Sequence, residues 1–343
     1  MIVERGVRAA RTSLVLMEMQ HIFEPGRFFE QCHASTLAVL EDGTLLCAWF
    51  AGSHEGAEDV AIWSARRDAA GIWSEPTVLA AVPGVPCWNP VLFAHVEAGR
   101  ELVDLYFKVG RDIPGWRTWR QRSADGGRSW SLPELLVADD SFGRGPVRNP
   151  PLLTQAGTLL APASRETKTS WDAFVDRSRD GGASWEMVPI LRERAKFRGL
   201  GLIQPTLWQG TDGRIHALLR STEGRIFRSV SHDDGASWAV AWPTGLPNNN
   251  SGIAATRLES GEVLLVYNPL AGNWAPRSPL SLAISGDDGE SWTDLLQLEP
   301  REPEAEYSYP AIVTRGDRVW ISYTWRRRTI AFRELEIAGA GGV

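Results

Sequence analysis

Cysteine, tyrosine and helical periodicity are all scarce in this chain of 343 residues. The three cysteines, Cys32, Cys47 and Cys87, have neither the spacing of a metal knuckle nor that of a disulfide framework, which suits a reducing compartment. The six histidines are scattered, so neither a metal centre nor any other cofactor is expected. There is no basic run, and the formal net charge is −6. Nucleic acid is therefore not an expected partner, because phosphate binding needs a concentrated positive face. No apolar run approaches the roughly 20 residues of a membrane span, so no membrane partner is expected. Residues 1–20 carry arginines and only one short apolar run, Leu14 to Met17, too short for the core of a secretory signal. A cytoplasmic protein is expected, although a chain from which a leader had been cut, hence secreted or periplasmic, would read the same. Oligomeric state has no sequence signal here.

What is abundant is tryptophan, at 16 against only 5 tyrosines, and four of those tryptophans end copies of one motif. The motif is S-x-D-x-G-x-x-W. It occupies Ser123–Trp130, Ser178–Trp185, Ser231–Trp238 and Ser285–Trp292, its serines 55, 53 and 54 residues apart. A fixed period of this size marks a repeat architecture. An Asp side chain caps backbone N–H groups just ahead of it, Gly closes the turn at positive φ, and Trp plugs the underside. Each copy thus reads as a structural hairpin tip on the rim of its unit. A stretched copy, Ser64, Asp68, Gly71 and Trp73, sits in the first unit, and the last unit has none. Short alternating runs separated by Asp-Gly and Ser-Gly turns give three or four strands per unit. Six units follow, at about 33–80, 89–137, 149–191, 204–243, 251–298 and 309–337, within one domain spanning 1–343. The expected fold is all-β, a six-bladed propeller, with an N-terminal strand at 12–20 completing the last blade. A seventh blade would need roughly 50 more residues.

A second repeat carries the chemistry. Each unit opens with a polar residue, usually followed by Pro: His33, Asn89-Pro90, Asn149-Pro150, Gln204-Pro205, Asn250-Ser251 and Tyr309-Pro310. Pro is tolerated at a strand's first position. The first strand of a propeller blade is innermost, so these six residues are expected to converge on one funnel. The ends of the second strands reach the same face, bringing Glu55, Glu58, Asp59, Lys108, Glu166, Arg220 and the loop ending at Arg277. Two arginines among carboxylates and tyrosines fit an anionic sugar, because Arg binds a carboxylate bidentately. Trp88, Trp116, Trp171 and Trp274 are candidate stacking surfaces.

On these residues the chain resembles the sialidase (neuraminidase) superfamily, in a divergent branch with BNR repeats; the repeated motifs are that family's Asp boxes. The match runs over almost the whole chain. Ala217-Leu218-Leu219-Arg220 resembles the strand bearing the family's second triad arginine, and Arg277-Ser278-Pro279-Leu280 the segment bearing the third. Tyr307-Ser308 resembles the pair with the nucleophilic tyrosine, and Asp59, beside Glu58, the acid/base. Two positions depart from the pattern. His33 stands where the first triad arginine belongs, and Gln204 where a glutamate takes the phenol proton; a neutral amide cannot do so. The resemblance implies a retaining exo-glycosidase for sialic acid or a related acidic sugar. Arg220 and Arg277, with His33 if protonated, would hold the carboxylate, Asp59 would protonate the leaving oxygen and Tyr307 would attack. Glu304 or Glu306 would then be the base, or Tyr309 the nucleophile. Two other readings stand beside it. One is a lyase or hydrolase for uronate glycans with His33 as base. The other is a glycan-binding propeller without activity, favoured by Gln204.

Overall fold

The structure is a computed structural model that describes residues 13–338. Six antiparallel sheets carry the chain, and the first strands of blades three, four, five, six, one and two touch in that order, the sixth blade closing on the first. Blade one comprises Gln31–Val39, Leu45–Gly52, Ala61–Arg67 and Thr77–Ala80. Blade two comprises Cys87–Glu97, Arg100–Val109, Arg117–Ser123 and Glu134–Leu135; blade three, Leu152–Leu153, Leu159–Glu166, Trp171–Ser178 and Glu186–Pro189. Blade four holds Leu202–Gln209, Ile215–Ser221, Arg225–Ser231 and Trp242–Pro247, and blade five Ala254–Arg257, Val263–Tyr267, Leu280–Ser285 and Thr293–Glu299. Blade six holds Tyr307–Arg315, Arg318–Trp325 and Thr329–Ala338, and the N-terminal Ser13–Leu16 pairs with the last of these. The expected closing strand therefore exists. It is broken, since Gln20–His21 pairs separately with Phe332 and Ala331, and Thr12 lies outside the described residues. The fold is the expected six-bladed propeller.

The core lies between blades. Blade five packs on blade six through Leu264, Leu282, Ile312 and Tyr323, and blade three on blade four through Val175, Ile190, Ala217 and Leu219. Alternate residues of each strand face opposite neighbours, so central strands are apolar on both sides, as in Leu45–Gly52.

The four Asp boxes superpose in chemistry. In each, the first Ser donates to the Asp carboxylate at 2.7–2.8 Å and accepts the Gly N–H at 2.8–2.9 Å. The second Ser donates to the same carboxylate at 2.5–2.6 Å. The Ser129 hydroxyl and further donors hold the Asp125 carboxyl well below the usual carboxylate range. Both oxygens of each of these carboxylates are engaged in holding a turn.

Candidate functional site

The inner strands begin with a shared irregularity. Pairing with the second strand slips between His33 and Thr36, Trp88 and Val91, Ile203 and Thr206, and Ser308 and Ala311. Inside these bulges Ala34, Asn89, Gln204 and Tyr309 take φ of 58°, 37°, 54° and 51°, and Asn250 takes 60°. Positive φ is costly for residues other than glycine, and bulges re-aim side chains next to sites. The register also corrects the expected phase. The counterpart of Asn89, Gln204 and Tyr309 in blade one is Ala34; His33 lies one residue earlier, level with Trp88 and Ser308. Asn149 has no such bulge, because the first strand of blade three is only Leu152–Leu153.

Tyr309 is the centre of the cluster. The guanidinium carbons of Arg148, Arg220 and Arg277 lie 5.3, 5.5 and 5.3 Å from its ring centroid, and the His33 ring lies 4.2 Å away. Arg220, 2% exposed, donates from Nη1 to the Tyr309 hydroxyl at 2.6 Å and to Gln204 Oε1 at 3.0 Å. Its Nε donates to Asn250 Oδ1 at 2.8 Å, and Asn250 in turn donates to Asn273 Oδ1 at 2.7 Å. Burial pushes the Glu166 carboxyl up, against the charge of Arg220 and hydrogen bonds from Ser164 and Gln204. Gln204 thus links Arg220 to Glu166.

Glu306 organises the other side. It accepts from Arg277 Nη1 at 2.6 Å, Arg327 Nε at 2.8 Å and Ser308 Oγ at 2.7 Å. Burial pushes its carboxyl up, but the charges of Arg277 and Arg327 and the Arg327 hydrogen bond outweigh it and hold it well below the ordinary range. His33 itself is fully enclosed. Burial, and then Arg327, push its imidazole well below the usual histidine value, against the pull of Glu306. A protonated His33 as third cation of a carboxylate clamp is therefore a correction: the ring is neutral, and its Nδ1 meets Thr324 Oγ1 at 2.9 Å.

Tyr307, expected to be the nucleophile, is not in the cluster. Two residues from Tyr309 but outside its bulge, it packs between blades five and six, and its hydroxyl meets Glu302 at 3.1 Å and Arg326 at 3.2 Å. Asp59 is exposed on the loop after Gly52, its carboxylate accepting from Ser53 N at 3.0 Å and Ser53 Oγ at 2.9 Å. Gly56 of that loop lies against Trp88, which neighbours Phe50 and, through it, His33. Glu58 pairs in the open with Arg111 at 2.8 Å, and Glu55 pairs with Arg327 at 2.6 Å. Asn149 donates to the Pro205 carbonyl at 2.9 Å, tying blade three to blade four, and Asn89 is buried at its bulge. Lys108 is spent on Thr118 and on the carbonyls of Gly143 and Arg144; burial pushes it down to about 8. Of the tryptophans, Trp171 and Trp274 flank Arg220 at 5.6 and 5.9 Å, and Trp274 is 63% exposed.

One member of the cluster has no counterpart in the sequence reading. Arg148 is buried, donates to the carbonyls of Ser35 and Pro310, and leaves its Nε unpartnered. Its signal was its place, directly before Asn149-Pro150, the level that His33 holds in blade one.

Among the described residues one group has metal-ligand chemistry, Asp212, His216 and Asp288, with ligand atoms within 4.8 Å. Arg228 Nη2 lies 3.1 Å from His216 Nδ1. A guanidinium can only donate, so the imidazole proton sits on Nε2, the atom a metal would need bare. These residues do not fit a metal ion.

A family model described as a BNR repeat-like domain matches residues 43–321. Among curated proteins no sequence matches. A solved Dyadobacter fermentans protein of unknown function is 16% identical, covering 95% of this chain and 99% of its own, with a TM-score of 0.73. A Hadza microbial sialidase is 16% identical over 92% of this chain and 68% of its own, TM-score 0.76. The NanB sialidase from Streptococcus pneumoniae, a K499G mutant, is 13% identical over 93% and 71%, TM-score 0.73. At these identities the likeness is one of fold.

Proposed function

The chain belongs to the BNR repeat-like family, in a divergent branch of the sialidase-like superfamily, and from that premise we propose that it is an exo-glycosidase releasing a terminal acidic sugar from a glycan. The observation that supports this is the Arg220–Tyr309 hydrogen bond at 2.6 Å, set inside three guanidinium groups at the start of the inner strands. Arg220 Nη2 and Arg277 Nη2 have no protein partner among the described residues, so one nitrogen of each is free for the substrate carboxylate. The Tyr309 oxygen attacks the anomeric carbon as the glycosidic bond breaks, and Asp59 gives its proton to the leaving oxygen. Water then attacks the same carbon, returns a proton to Asp59 and frees Tyr309. A phenol suits a carbon bearing a carboxylate, since it approaches without negative charge. The phenol proton passes to solvent as the bond forms, with Arg220 Nη1 donating to the Tyr309 oxygen in place of a carboxylate at 204. A fluorogenic sialoside tests the reading: wild type turns it over and Tyr309→Phe does not. Binding of the sugar with no turnover by wild type would make the protein a lectin-like propeller instead.

A second reading is favoured by the neutral His33 ring 4.2 Å from Tyr309. A neutral imidazole beside a phenol, with arginines to neutralise a carboxylate, is the equipment for abstracting the proton next to a uronate. Ultraviolet absorbance of an unsaturated uronate product would reveal it.

A further inference from the structure

On the funnel face, outside the Tyr309 cluster, the turn joining the last two strands of blade six is built from three arginines, Arg326, Arg327 and Arg328. Arg326 and Arg327 both have left-handed backbone, with φ of 51° and 55°. Two such residues in succession are costly unless glycine or asparagine supplies them. Here the conformation is held from outside: Arg326 N–H bonds Glu306 O, Cys32 N–H bonds Arg327 O, and Gly26 N–H bonds Arg328 O. Strain kept in place by three neighbouring segments is a mark of a site. Its effect is to spread three guanidinium groups. Arg326 turns to Glu302, Arg327 to Glu306 and Glu55, and Arg328 to the other side, where it lies against Gly26. Gly26 has φ of 74°, and a Cβ there would collide with the Arg328 guanidinium.

Between this turn and residues 26–31 lies a cavity of about 640 Å³, lined by Arg27, Phe28, Arg326, Arg327 and Arg328, with Glu30 as its one acidic lining side chain. Arg328 has no carboxylate partner among the described residues. The carboxylate pairs of Arg27 and Arg326, with Glu75 and Glu302, are exposed, so a ligand can displace them at little cost, and Arg326 also reaches the Tyr307 hydroxyl. Arg327 is the wall shared with the first site, since it binds the same Glu306 that orients Arg277.

We propose that this cavity is a second subsite, selective for a negatively charged sugar, carboxylate- or sulfate-bearing, attached to the acidic sugar held at Tyr309. Arg328 is its principal cation, Arg27 its second, and Phe28 its apolar face. The substrate is then an anionic glycan with charge on consecutive residues rather than an acidic cap on a neutral chain. The inference rests on the acidic-sugar reading of the Tyr309 cluster for the direction of the glycan, while the anion selectivity rests on the arginines.

The test is calorimetric binding to the full chain of three probes: sialyllactose, sialyllactose sulfated on its second sugar, and a sialic acid dimer. The sulfated probe and the dimer separate the two sources of charge. At least one is expected to bind roughly fivefold or more tightly than sialyllactose, the scale of one cleft-held charge pair. Arg328→Gln removes that preference, and Arg328→Lys retains part of it; Arg328 is exposed, and melting curves check that the fold is kept. A wild-type protein that binds the three alike, or a preference untouched by Arg328→Gln, overturns the subsite while leaving the Tyr309 reading standing. Arg328-dependent binding of a charged probe with no binding of sialyllactose keeps the subsite and removes the Tyr309 reading. No binding of any probe removes both.

Discussion

Replacing Glu306 with glutamine keeps its shape and deletes its charge. Two guanidinium groups, of Arg277 and Arg327, then face each other across 2.6 and 2.8 Å contacts to a neutral amide. The Glu306 side chain is 24% exposed and its partners 15% and 22%, so the network is neither a surface pair nor a fully buried one. Breaking a buried pair costs about 3–5 kcal/mol and an exposed one under about 1, which places Glu306→Gln near 2–3 kcal/mol. At about 2 °C per kcal/mol for a chain of this size, the melting temperature at pH 7 should fall by roughly 4–6 °C. The pH dependence has a sign. The folded carboxyl titrates below its unfolded value of about 4.3, so its stabilisation is complete above that value and disappears as pH falls through the lower, folded one. Scanning calorimetry of wild type and variant from pH 7 to pH 3 should show two curves converging in acid. Equal melting at pH 7, or a gap that widens in acid, would refute the assignment of Glu306 as the ionised hub. Where the protein is active, the variant should also lose activity, because Arg277 loses the anchor that orients it.

Other outcomes follow from the same geometry. Tyr309→Phe should abolish turnover of a fluorogenic sialoside, and Tyr307→Phe should leave measurable rates, since its hydroxyl meets Glu302 and Arg326 rather than the cluster. Gly252→Ala puts a Cβ 3.3 Å from Tyr309 Cγ and 3.5 Å from Arg148 Nε, so kcat should fall by more than melting temperature predicts. His33 should titrate by NMR well below the ordinary histidine value of about 6.5. Because its folded value is depressed, it costs stability as pH falls below that ordinary value, and a midpoint at or above it would contradict its burial. Ser178→Ala removes the acceptor of Gly182 N–H at 2.8 Å and should cost about 1 kcal/mol by urea denaturation, with no effect on activity.

The fold was legible because its signal is periodic. Asp boxes repeat at fixed spacing, and each box is a local circuit within eight residues, so sequence neighbours determine it. The funnel was legible only in part. Gln204, Asn250 and Tyr309 were placed by the strand-opening pattern, and Arg220 by the end of its apolar strand. His33 was set one residue out of phase because a bulge is invisible to alternation: Ala34, at φ 58°, is the equivalent position and carries no polar flag. Tyr307 and Tyr309 lie two residues apart and would share a face on a regular strand, so pattern alone could not separate them; the bulge between Ser308 and Ala311 does. Arg148 and Arg327 escaped notice for another reason. Their roles come from blades meeting, Arg148 with Pro310 and Arg327 with Glu55, contacts 162 and 272 residues apart in sequence.

The decisive measurement is the identity of the residue that a fluorinated sialoside traps. Incubating the protein with a 2,3-difluoro sialic acid derivative, digesting it and sequencing the modified peptide by mass spectrometry should place the sugar on Tyr309. A sugar on Tyr307, or an unmodified protein that still hydrolyses sialosides, would contradict the site built around Tyr309 and Arg220.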